Sequence, residues 1–360
     1  YSSCAKNQRD CFDRRRVVFI GLSCHSRGSG NPVNMKKIFT ATAIFLVVFL
    51  IFFWTRDYSN GRPMIFGVTF SQPQAEYLGL DWKKTYLDML DNLKVRNLRL
   101  LAYWPKIAKE SGKFDFSDLD WQVNEAKKRN AKIIMAIGER LPHWPECHAP
   151  DWVKDLPKDK KQAKIIEMLQ VVVKHYKKQN NIIMWQVDNE PLVNWFGECG
   201  PADKEFVKKE IALVKSMDFR PVLITDSGEL GWWRPASKLG DFFGTTLYRV
   251  VWNKYVGYWN YKYLIPPGFY YWKAKLAGIY PAGAIIAELQ AEPWLREDIG
   301  KITLEEQRHS MDAQKFQEAV SFASRTGFAE SYLWGVEYWY WLKDKKGDSS
   351  LYDEAKKIWK

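Results

Sequence analysis

Two glutamates stand at or just beyond the ends of short apolar segments, and they are the residues best placed to carry chemistry. Glu190 closes a segment that reads Trp-Gln-Val-Asp-Asn-Glu over residues 185–190, and Glu288 follows the apolar segment 284–287. A strand that buries a carboxylate incurs a free-energy cost unless the group has a partner or a function. Two facing carboxylates are what hydrolysis of a glycosidic bond requires, one to protonate the leaving oxygen and one to attack the sugar.

Each glutamate also has a purely structural explanation. Glu190 precedes Pro191 and could cap a helix. Glu288 has a competitor in Glu292, which lies a few residues further along the chain. Because Glu288 comes directly after the apolar segment and Glu292 falls in the following loop, the sequence favours Glu288 as the attacking group. Glu292 then becomes a loop ligand or a salt-bridge partner.

The elements that must position these residues alternate between apolar strands and amphipathic helices. Strands are predicted over Met64–Thr69, Asn97–Ala102, Lys132–Ile137, Ile182–Val187, Pro221–Thr225, Phe243–Leu247, Ala284–Ala287 and Ser331–Val336. Helices are predicted over Leu80–Leu93, Leu119–Lys128, Gln162–Lys177, Lys204–Ser216, Phe269–Ala277 and Thr303–Ser324. Ser117 is expected to cap the second helix, and a Thr-Leu-Glu-Glu capping box to open the last. Eight strand–helix units in about 300 residues match a (β/α)₈ barrel.

A doubly wound sheet is the alternative fold. That fold usually has fewer strands and a glycine-rich phosphate turn after the first one, whereas residues 69–73 read Thr-Phe-Ser-Gln-Pro. In a barrel the chemistry lies at the C-terminal ends of the strands, so Glu190 and Glu288 would face each other across the mouth. A separation of roughly 5–5.5 Å between the two carboxyl groups would indicate the route that retains configuration.

At this point the sequence resembles glycoside hydrolase clan A, a group of barrel enzymes that hydrolyse β-linked sugars with retention. Asn189-Glu190, followed by a proline, matches the Asn-Glu pair that ends the fourth strand in that clan. Glu288 matches the glutamate that ends the seventh. Arg99 at the end of the second strand and Tyr248 after the sixth match residues that the clan places near the nucleophile. The resemblance covers about residues 62–342 and does not identify one family of the clan.

The resemblance implies a role for each of these residues. Glu190 would be the acid/base, and Glu288 the nucleophile, kept ionised by Arg99 and Tyr248. Asn189 would bind the 2-hydroxyl of the sugar. Glu190 is expected to be protonated at rest because the nearby anion and partial burial raise its pKa. No metal or organic cofactor is expected. Arg99 could instead pair with a core carboxylate, and Tyr248 could be a core tyrosine.

Further substrate-binding residues are predicted around this pair. The eighth strand resembles the clan segment that supplies a tryptophan floor to the sugar subsite, with Trp334 and Trp339 as the candidates. A register error of one residue exchanges the two faces of a strand, so the sequence does not separate subsite from core for these two. Trp144, in the loop after the third strand, and Gln290, beyond the seventh, complete the predicted set.

Cys147 and Cys199 lie in the loops that follow the third and fourth strands. Adjacent strands place these loops side by side, so a disulfide between them is predicted to brace the rim of the mouth. It would close a loop of roughly fifty residues and contribute about 3–4 kcal/mol in the chain-entropy model. No metal-ligand spacing is present, and Glu146-Cys147-His148 is too compact to form a zinc site by itself.

Aromatic residues are unusually frequent, at 16% of the chain. The apolar faces of sugar rings stack on such side chains, although a Trp-rich core is the alternative explanation. The densest patch follows the sixth strand and contains Trp252, Tyr255, Tyr258, Trp259, Tyr261 and Tyr263. This loop is expected to wall the substrate cleft; the alternative is that it dips toward a membrane, since Trp and Tyr favour interfaces.

The N-terminal region carries half of the net charge of +12, with nine Lys and Arg and three Asp in residues 1–60. The rest of the surplus is spread over helix faces, so no nucleic-acid partner is expected. An apolar run between Lys37 and Arg56 predicts a signal anchor over 35–56, a linker over 57–63 and the catalytic barrel over 64–360. A cleaved signal peptide, which would make the protein secreted, is the alternative. Residues 1–34 are interpreted as translated upstream sequence or a cytoplasmic tail.

The function predicted from the sequence is a retaining β-glycosidase or endo-β-glycanase, tethered to the cell membrane by a single span and acting on an oligo- or polysaccharide outside the cytoplasm. The alternatives are a non-catalytic carbohydrate-binding barrel and a transglycosylase that uses the same two glutamates. The identity of the sugar depends on loop side chains, and the sequence does not predict it.

Overall fold

A closed barrel of eight parallel strands forms the centre of the protein. The computed structural model describes residues 35–359, and its barrel strands are β1 (Ile65–Phe70), β2 (Asn97–Leu101), β3 (Lys132–Ile137), β4 (Ile182–Val187), β5 (Val222–Asp226), β6 (Phe242–Leu247), β9 (Ile285–Gln290) and β10 (Glu330–Trp334). A short antiparallel hairpin of β7 (Val250–Asn253) and β8 (Gly257–Asn260) lies between β6 and β9 in the chain. Each barrel strand pairs with the next, and β10 pairs with β1. The predicted (β/α)₈ barrel is confirmed.

Helices connect the strands. They are α1 (Met35–Thr55), α2 (Gln72–Tyr77), α3 (Trp82–Asp91), α4 (Trp104–Ile107), α5 (Ser117–Lys128), α6 (Asp151–Lys154), α7 (Lys158–Tyr176), α8 (Lys204–Met217), α9 (Trp233–Ser237), α10 (Pro267–Leu276), α11 (Leu304–Ser310), α12 (Ala313–Ser324), α13 (Val336–Lys346) and α14 (Ser350–Lys356). Short 3₁₀ turns cover Tyr261–Tyr263 and Pro281–Gly283.

Helix α1 is an apolar helix near the N-terminus. By length and composition, its segment Met35–Phe53 is long enough to cross a membrane, and none of that segment is buried. Within the described residues, the chain divides into two units between Phe49 and Leu50. The helix is consistent with a signal anchor. The interpretation of residues 1–34 falls outside the described residues.

Two specific predictions, a helix cap and a continuous helix, are wrong. Ser117 is the first residue of α5 and not its cap, because the N-cap position is Phe116. The long helix predicted over 303–324 is broken into α11 and α12. Asp312 adopts an extended conformation between them, and its side chain accepts a hydrogen bond from the backbone N–H of Lys315. An Asp with that geometry starts a new helix, which is why the helical periodicity does not continue through it.

Two of the barrel strands end two or three residues from the predicted position, and both differences affect the candidate site. Strand β9 continues to Gln290, so Glu288 lies inside the strand, opposite Thr246 of β6. Strand β10 ends at Trp334 and not at residue 336. Gly335 follows with φ +109°, and α13 begins directly after it. A side chain at this glycine would collide with Glu292, since a Cβ there would lie 2.3 Å from that residue's Cβ.

The barrel interior changes from apolar to polar along the strands. Near the N-terminal ends of the strands a small cluster fills the interior, made of Ile134, Met184, Leu223, Ile285 and Tyr332. Gln186 lies two residues after Met184 and therefore points to the same face of β4. Gln186 is fully buried, as is Arg99 of β2. The polar layer thus begins two residues beyond the apolar cluster along the strands, toward the C-terminal end of the barrel.

Candidate active site

Glu288 projects from β9 and has a partner on each carboxylate oxygen. Arg99 Nη1 lies 3.0 Å from Glu288 Oε1, and the Tyr248 hydroxyl donates to Glu288 Oε2 over 3.0 Å. Both the arginine and the carboxylate are almost entirely buried. The sequence-predicted residues Arg99, Tyr248 and Glu288 therefore lie together in the structure.

Arg99 connects three strands of the barrel. Besides Glu288 of β9, its guanidinium donates to Gln186 Oε1 of β4 over 2.7 Å and to Asn189 Oδ1, just beyond β4, over 2.8 Å. A planar group with five donors suits several acceptors in fixed directions. Arg99 therefore fixes the distance between the end of β4, which leads to Glu190, and the middle of β9, which carries Glu288.

Glu190 sits three residues beyond β4 with an unusual backbone conformation. Its φ is +45°, and its N–H donates to Thr225 Oγ1 of β5 over 2.8 Å. The side chain is buried, and burial, followed by the charges of Glu288 and Glu146, raises its pKa well above the ordinary value. Among residues 35–359, Glu190 Oε1 has no hydrogen-bond partner. A buried carboxyl group with a raised pKa and an unused oxygen has the properties of a proton donor that awaits a ligand.

Asn189 is held by contacts on both ends of its amide. Its Oδ1 accepts from Arg99 Nη2, as described, and from Thr225 Oγ1 over 3.2 Å. Its Nδ2 donates to Glu146 Oε2 over 3.3 Å. Because the acceptor end is occupied by donors, the amide nitrogen is the end that is available to a ligand.

Glu146 was not predicted as a site residue. It lies in the loop after β3, and burial, followed by the charge of Glu288, raises its pKa to about 8. The sequence signal was weak, because a lone glutamate in an irregular loop has no periodicity that would assign its direction. Its backbone φ of +71°, which a sequence does not reveal, turns the side chain inward.

Two further carboxyl groups flank the pair. Asp226 ends β5, and burial raises its pKa to about 6. Its charge acts on Glu190. Glu292 lies beyond β9, where burial raises its pKa to about 7, while a hydrogen bond from the Trp334 side chain lowers it. Arg99 binds Glu288, and the described contacts of Arg99 do not include Glu292, so the two rival glutamates have different surroundings.

The remaining predicted substrate ligands divide between the mouth and the core. Trp334 ends β10, and its ring lies 4.2 Å from the ring of His143. Trp144 is 63% exposed at the rim. Trp339 does not reach the mouth, because it lies on α13, is fully buried and donates to Ala291 O over 2.7 Å. The prediction of Trp339 as a substrate ligand is therefore corrected, because the strand ends before this residue and the helix turns its side chain into the core.

Gln290 also acts as a structural brace. It is fully buried, and its Oε1 accepts from the N–H groups of Arg249 and Val250 over 2.8 and 2.9 Å. Its Nε2 donates to Val250 O over 2.6 Å. These contacts fix the start of the loop after β6 and occupy the groups with which a sugar would have to bond, so the structure does not bring Gln290 into the site.

The rim of the mouth is braced by the predicted disulfide. Cys147 and Cys199 are bonded, with their Cα atoms 5.4 Å apart. Nearby, a run of aromatic rings leads from the rim to Tyr248. Trp144 lies 6.0 Å from Phe196, Phe196 lies 5.5 Å from Trp294, and Trp294 lies 5.0 Å from Tyr248. Such a run offers stacking faces along a path to Glu288.

No group of three or more His, Cys, Asp or Glu side chains within residues 35–359 is arranged to hold a metal ion. The loop after β6, which was predicted to wall the cleft, forms the β7–β8 hairpin and the following 3₁₀ turn. Tyr258 on this hairpin donates to Glu306 Oε1 of α11 over 3.2 Å, and Tyr255 at its turn is 81% exposed.

A family model matches part of the barrel. Residues 91–198 match the model of Glycosyl hydrolase family 10. The matched segment runs from before β2 to the loop after β4 and so includes Arg99, Glu146, Asn189 and Glu190. No curated protein matches the sequence of the chain.

Solved structures share the barrel. A polyextremophilic β-galactosidase from the Antarctic haloarchaeon Halorubrum lacusprofundi has a TM-score of 0.53 and 14% identity, over 81% of this chain and 57% of that one. GH5_18 from Streptomyces cattleya, in complex with GlcNAc, has a TM-score of 0.55 and 12% identity, over 76% of this chain and 70% of that one. The exo-β-1,4-mannosidase Op5Man5 from Opitutaceae bacterium strain TAV5 has a TM-score of 0.55 and 16% identity, over 78% of this chain and 53% of that one.

At these low sequence identities, the structural similarity shows a shared fold and nothing further. This chain spans little more than half the length of the first and third of these enzymes. The family match over residues 91–198, together with the closed barrel, supports a (β/α)₈ glycoside hydrolase, as the resemblance in the sequence implies.

Proposed function

We propose that the protein is a retaining β-glycosidase that cleaves its substrate by double displacement, with Glu288 as nucleophile and Glu190 as acid/base. The observation that carries the proposal is the contrast between the two glutamates. Both oxygens of Glu288 accept hydrogen bonds, one from a buried guanidinium. Glu190 is buried with a raised pKa and has an oxygen without a partner among the described residues.

In the first step the sugar lies between the two glutamates. Glu190 donates its proton to the glycosidic oxygen as that bond breaks, and a Glu288 oxygen forms a bond to the anomeric carbon. The leaving group departs as an alcohol, and a glycosyl ester remains on Glu288. Arg99 and Tyr248 hold the carboxylate in one orientation, which supports attack from a fixed direction.

In the second step the charges are exchanged. Once Glu288 is esterified its negative charge is lost, and with it a cause of the raised pKa of Glu190. Glu190, which has lost its proton, then acts as a base and takes a proton from water as the water attacks the anomeric carbon. Glu288 leaves as a carboxylate, and the sugar is released with its original configuration.

The apolar helix α1 supports a proposal about location. A helix of this length and composition, with lysines at its N-terminal end, supports a single-span anchor that keeps the barrel outside the cytoplasm. Cell fractionation of the full chain should recover it with the membranes, and a chain that lacks residues 35–55 should appear in the soluble fraction. Recovery of both in the soluble fraction would argue against the anchor.

The activity is tested with aryl β-glycosides of several sugars. The unmutated protein should hydrolyse at least one of them, and proton NMR of the first product formed should show the β-anomer. Glu288→Gln should reduce kcat by at least about a thousandfold, as expected for loss of a group needed in the transition state. An α-anomer as first product would contradict double displacement. Binding without hydrolysis would instead indicate a carbohydrate-binding protein. Transfer of the sugar to an added sugar acceptor would indicate a transglycosylase.

A further inference from the structure

Glu146 is a third carboxyl group at the mouth of the barrel, and the double displacement has no use for it. It accepts a hydrogen bond from Asn189 Nδ2 over 3.3 Å. Its charge acts on Glu190, and that of Glu288 acts on it. Glu146 therefore interacts electrostatically with both glutamates of the proposed reaction.

The loop after β3 is built to turn this side chain inward. Glu146 has φ +71°, which L-residues rarely adopt, and its N–H donates to His143 O over 2.7 Å. Its own carbonyl accepts from Leu141 N over 2.8 Å. The adjacent loop after β4 makes room at Gly197, where a Cβ would lie 2.7 Å from Glu146 Cβ. Strained backbone that is fixed by its surroundings is typical of functional positions.

Within the described residues the Glu146 carboxylate forms no ion pair, although it is almost fully buried. Arg140 and Arg99 are the nearby cations. Arg140 donates to the backbone oxygens of Val193 and Phe196, and Arg99 is bound to Glu288. A buried carboxylate without a cation of its own is complementary to a ligand that brings one.

The position of Asn189 indicates which part of a sugar would meet this carboxylate. Glu288 attacks the anomeric carbon in the proposed reaction, and Asn189 is linked to Glu288 through Arg99. As the resemblance to clan A implies, Asn189 binds the substituent on C2, the carbon next to the one attacked. Glu146 contacts the same amide nitrogen of Asn189 and therefore lies against that substituent as well.

We propose that Glu146 recognises the C2 substituent and adapts the site to 2-amino-2-deoxy-β-glycosides, whose ammonium group pairs with the Glu146 carboxylate. This inference rests on the proposed function. In the empty site Glu146 keeps its proton near neutral pH; when the ammonium binds, that proton is released to solvent and the pair is neutral. The carboxylate also offsets the ammonium charge, which would otherwise oppose the positive charge that develops at the neighbouring anomeric carbon.

The test compares 4-nitrophenyl β-glucosaminide, β-glucoside and N-acetyl-β-glucosaminide as substrates. The unmutated protein should favour the free amine in kcat/KM by about ten- to hundredfold, the range of a hydrogen bond to a charged group. Glu146→Gln keeps an acceptor for Asn189 but removes the charge, so the preference should disappear. Glu292→Gln, which removes a different carboxyl group near the site, should change kcat/KM for all three substrates by the same factor. A preference for the glucoside, or an equal loss on all substrates in Glu146→Gln, would overturn the inference.

A binding measurement separates this inference from the proposed function. In Glu190→Gln, whose amide mimics the protonated acid, calorimetry should show a β-1,4-linked glucosamine trisaccharide binding at least about tenfold more tightly than cellotriose. Proton release should make the binding enthalpy depend on the buffer. Equal affinities, or no binding of the amino sugar, would overturn the role of Glu146. Failure to hydrolyse any glycoside would count against the proposed function, and the binding result would then decide the role of Glu146 alone.

Discussion

At the scale of single residues, the candidate site is organised around one guanidinium group that links its own strand to two others. Arg99 binds Glu288, Gln186 and Asn189, so it aligns the two walls of the barrel. Tyr248 completes the set by donating to the second oxygen of Glu288. The nucleophile proposed here is therefore oriented by one charged and one neutral donor, whose contributions can be separated.

Tyr248→Phe removes the neutral donor and leaves the ring in place. We expect kcat to fall by about ten- to a hundredfold, because one hydrogen bond to a charged group is lost. The melting temperature should change little, since Arg99 still pairs with Glu288. Steady-state kinetics on the best aryl glycoside measures the effect, with Tyr255→Phe on the exposed hairpin turn as the control. Unchanged kinetics in Tyr248→Phe would show that this hydroxyl does not support the nucleophile.

The sequence predicted some site residues and missed others for physical reasons. Glu288 and Glu190 were visible because each comes after an apolar segment, a pattern that a buried strand imposes. Glu146 was hidden because its inward direction depends on a positive φ and on the space at Gly197, neither of which has a sequence signature. Trp339 was misplaced because a glycine in the left-handed conformation ends the strand before it.

At the scale of elements, the two loops after β3 and β4 form the rim and are joined by the disulfide. Cys147 and Cys199 are 52 residues apart in the sequence. The bond was predictable because neighbouring parallel strands place consecutive loops side by side. The break between α11 and α12 also has a readable cause in Asp312, a favoured N-cap residue inside the predicted helix.

Replacement of both cysteines by serine tests the contribution of this brace. The free energy of unfolding should fall by about 4 kcal/mol, from the entropy that the unfolded chain regains over that separation. Denaturant unfolding of the barrel measures the change. The amine preference should also weaken, because Glu146 is the neighbour of Cys147 in the same loop. The single replacement Ser111→Ala, at an exposed position between α4 and α5, serves as a control for surface mutation. Equal stability of the double variant and the unmutated protein would contradict a bracing role.

Gln290 tests the second brace at this scale. Gln290→Ala would leave the buried N–H groups of Arg249 and Val250 without their acceptor. Unsatisfied buried groups cost about 1–3 kcal/mol each, so the free energy of unfolding should fall by about that amount or more. Gln314→Ala, at an exposed position of α12, is the matched control and should be close to neutral. If both variants were equally stable, the loop after β6 would not depend on this side chain.

At the scale of the whole molecule, a basic protein encloses an acidic mouth. The net charge is +12, yet the buried carboxyl groups near the strand ends have raised pKa values because burial disfavours their charged forms. Such groups hold protons in the folded state that the unfolded chain has lost. Stability from this source is complete below the unfolded pKa near 4.5 and is lost as the pH rises through the folded values.

Glu337 gives the clearest test of this pH dependence. Burial raises the pKa of this carboxyl, which accepts from the Ser71 N–H, to about 8. Between about pH 5 and pH 8 the free energy of unfolding should therefore decrease, and Glu337→Gln should remove on the order of 2–4 kcal/mol of that decrease. Chemical unfolding at several pH values measures it, with exposed Glu305→Gln as the control. A Glu337→Gln protein with the same pH dependence as the unmutated one would contradict this account.

The measurement that tests the central proposal most directly is identification of the covalent intermediate. The fluorine of a 2-deoxy-2-fluoro aryl β-glycoside slows both steps, and the good aryl leaving group keeps the first step faster than the second. The glycosyl ester therefore accumulates. We predict that mass spectrometry finds one sugar per chain and that peptide mapping places it on Glu288, with no label in Glu288→Gln. A label on Glu292 or Glu146 would contradict the assignment of Glu288 as nucleophile. So would hydrolysis without any label that releases a sugar of inverted configuration.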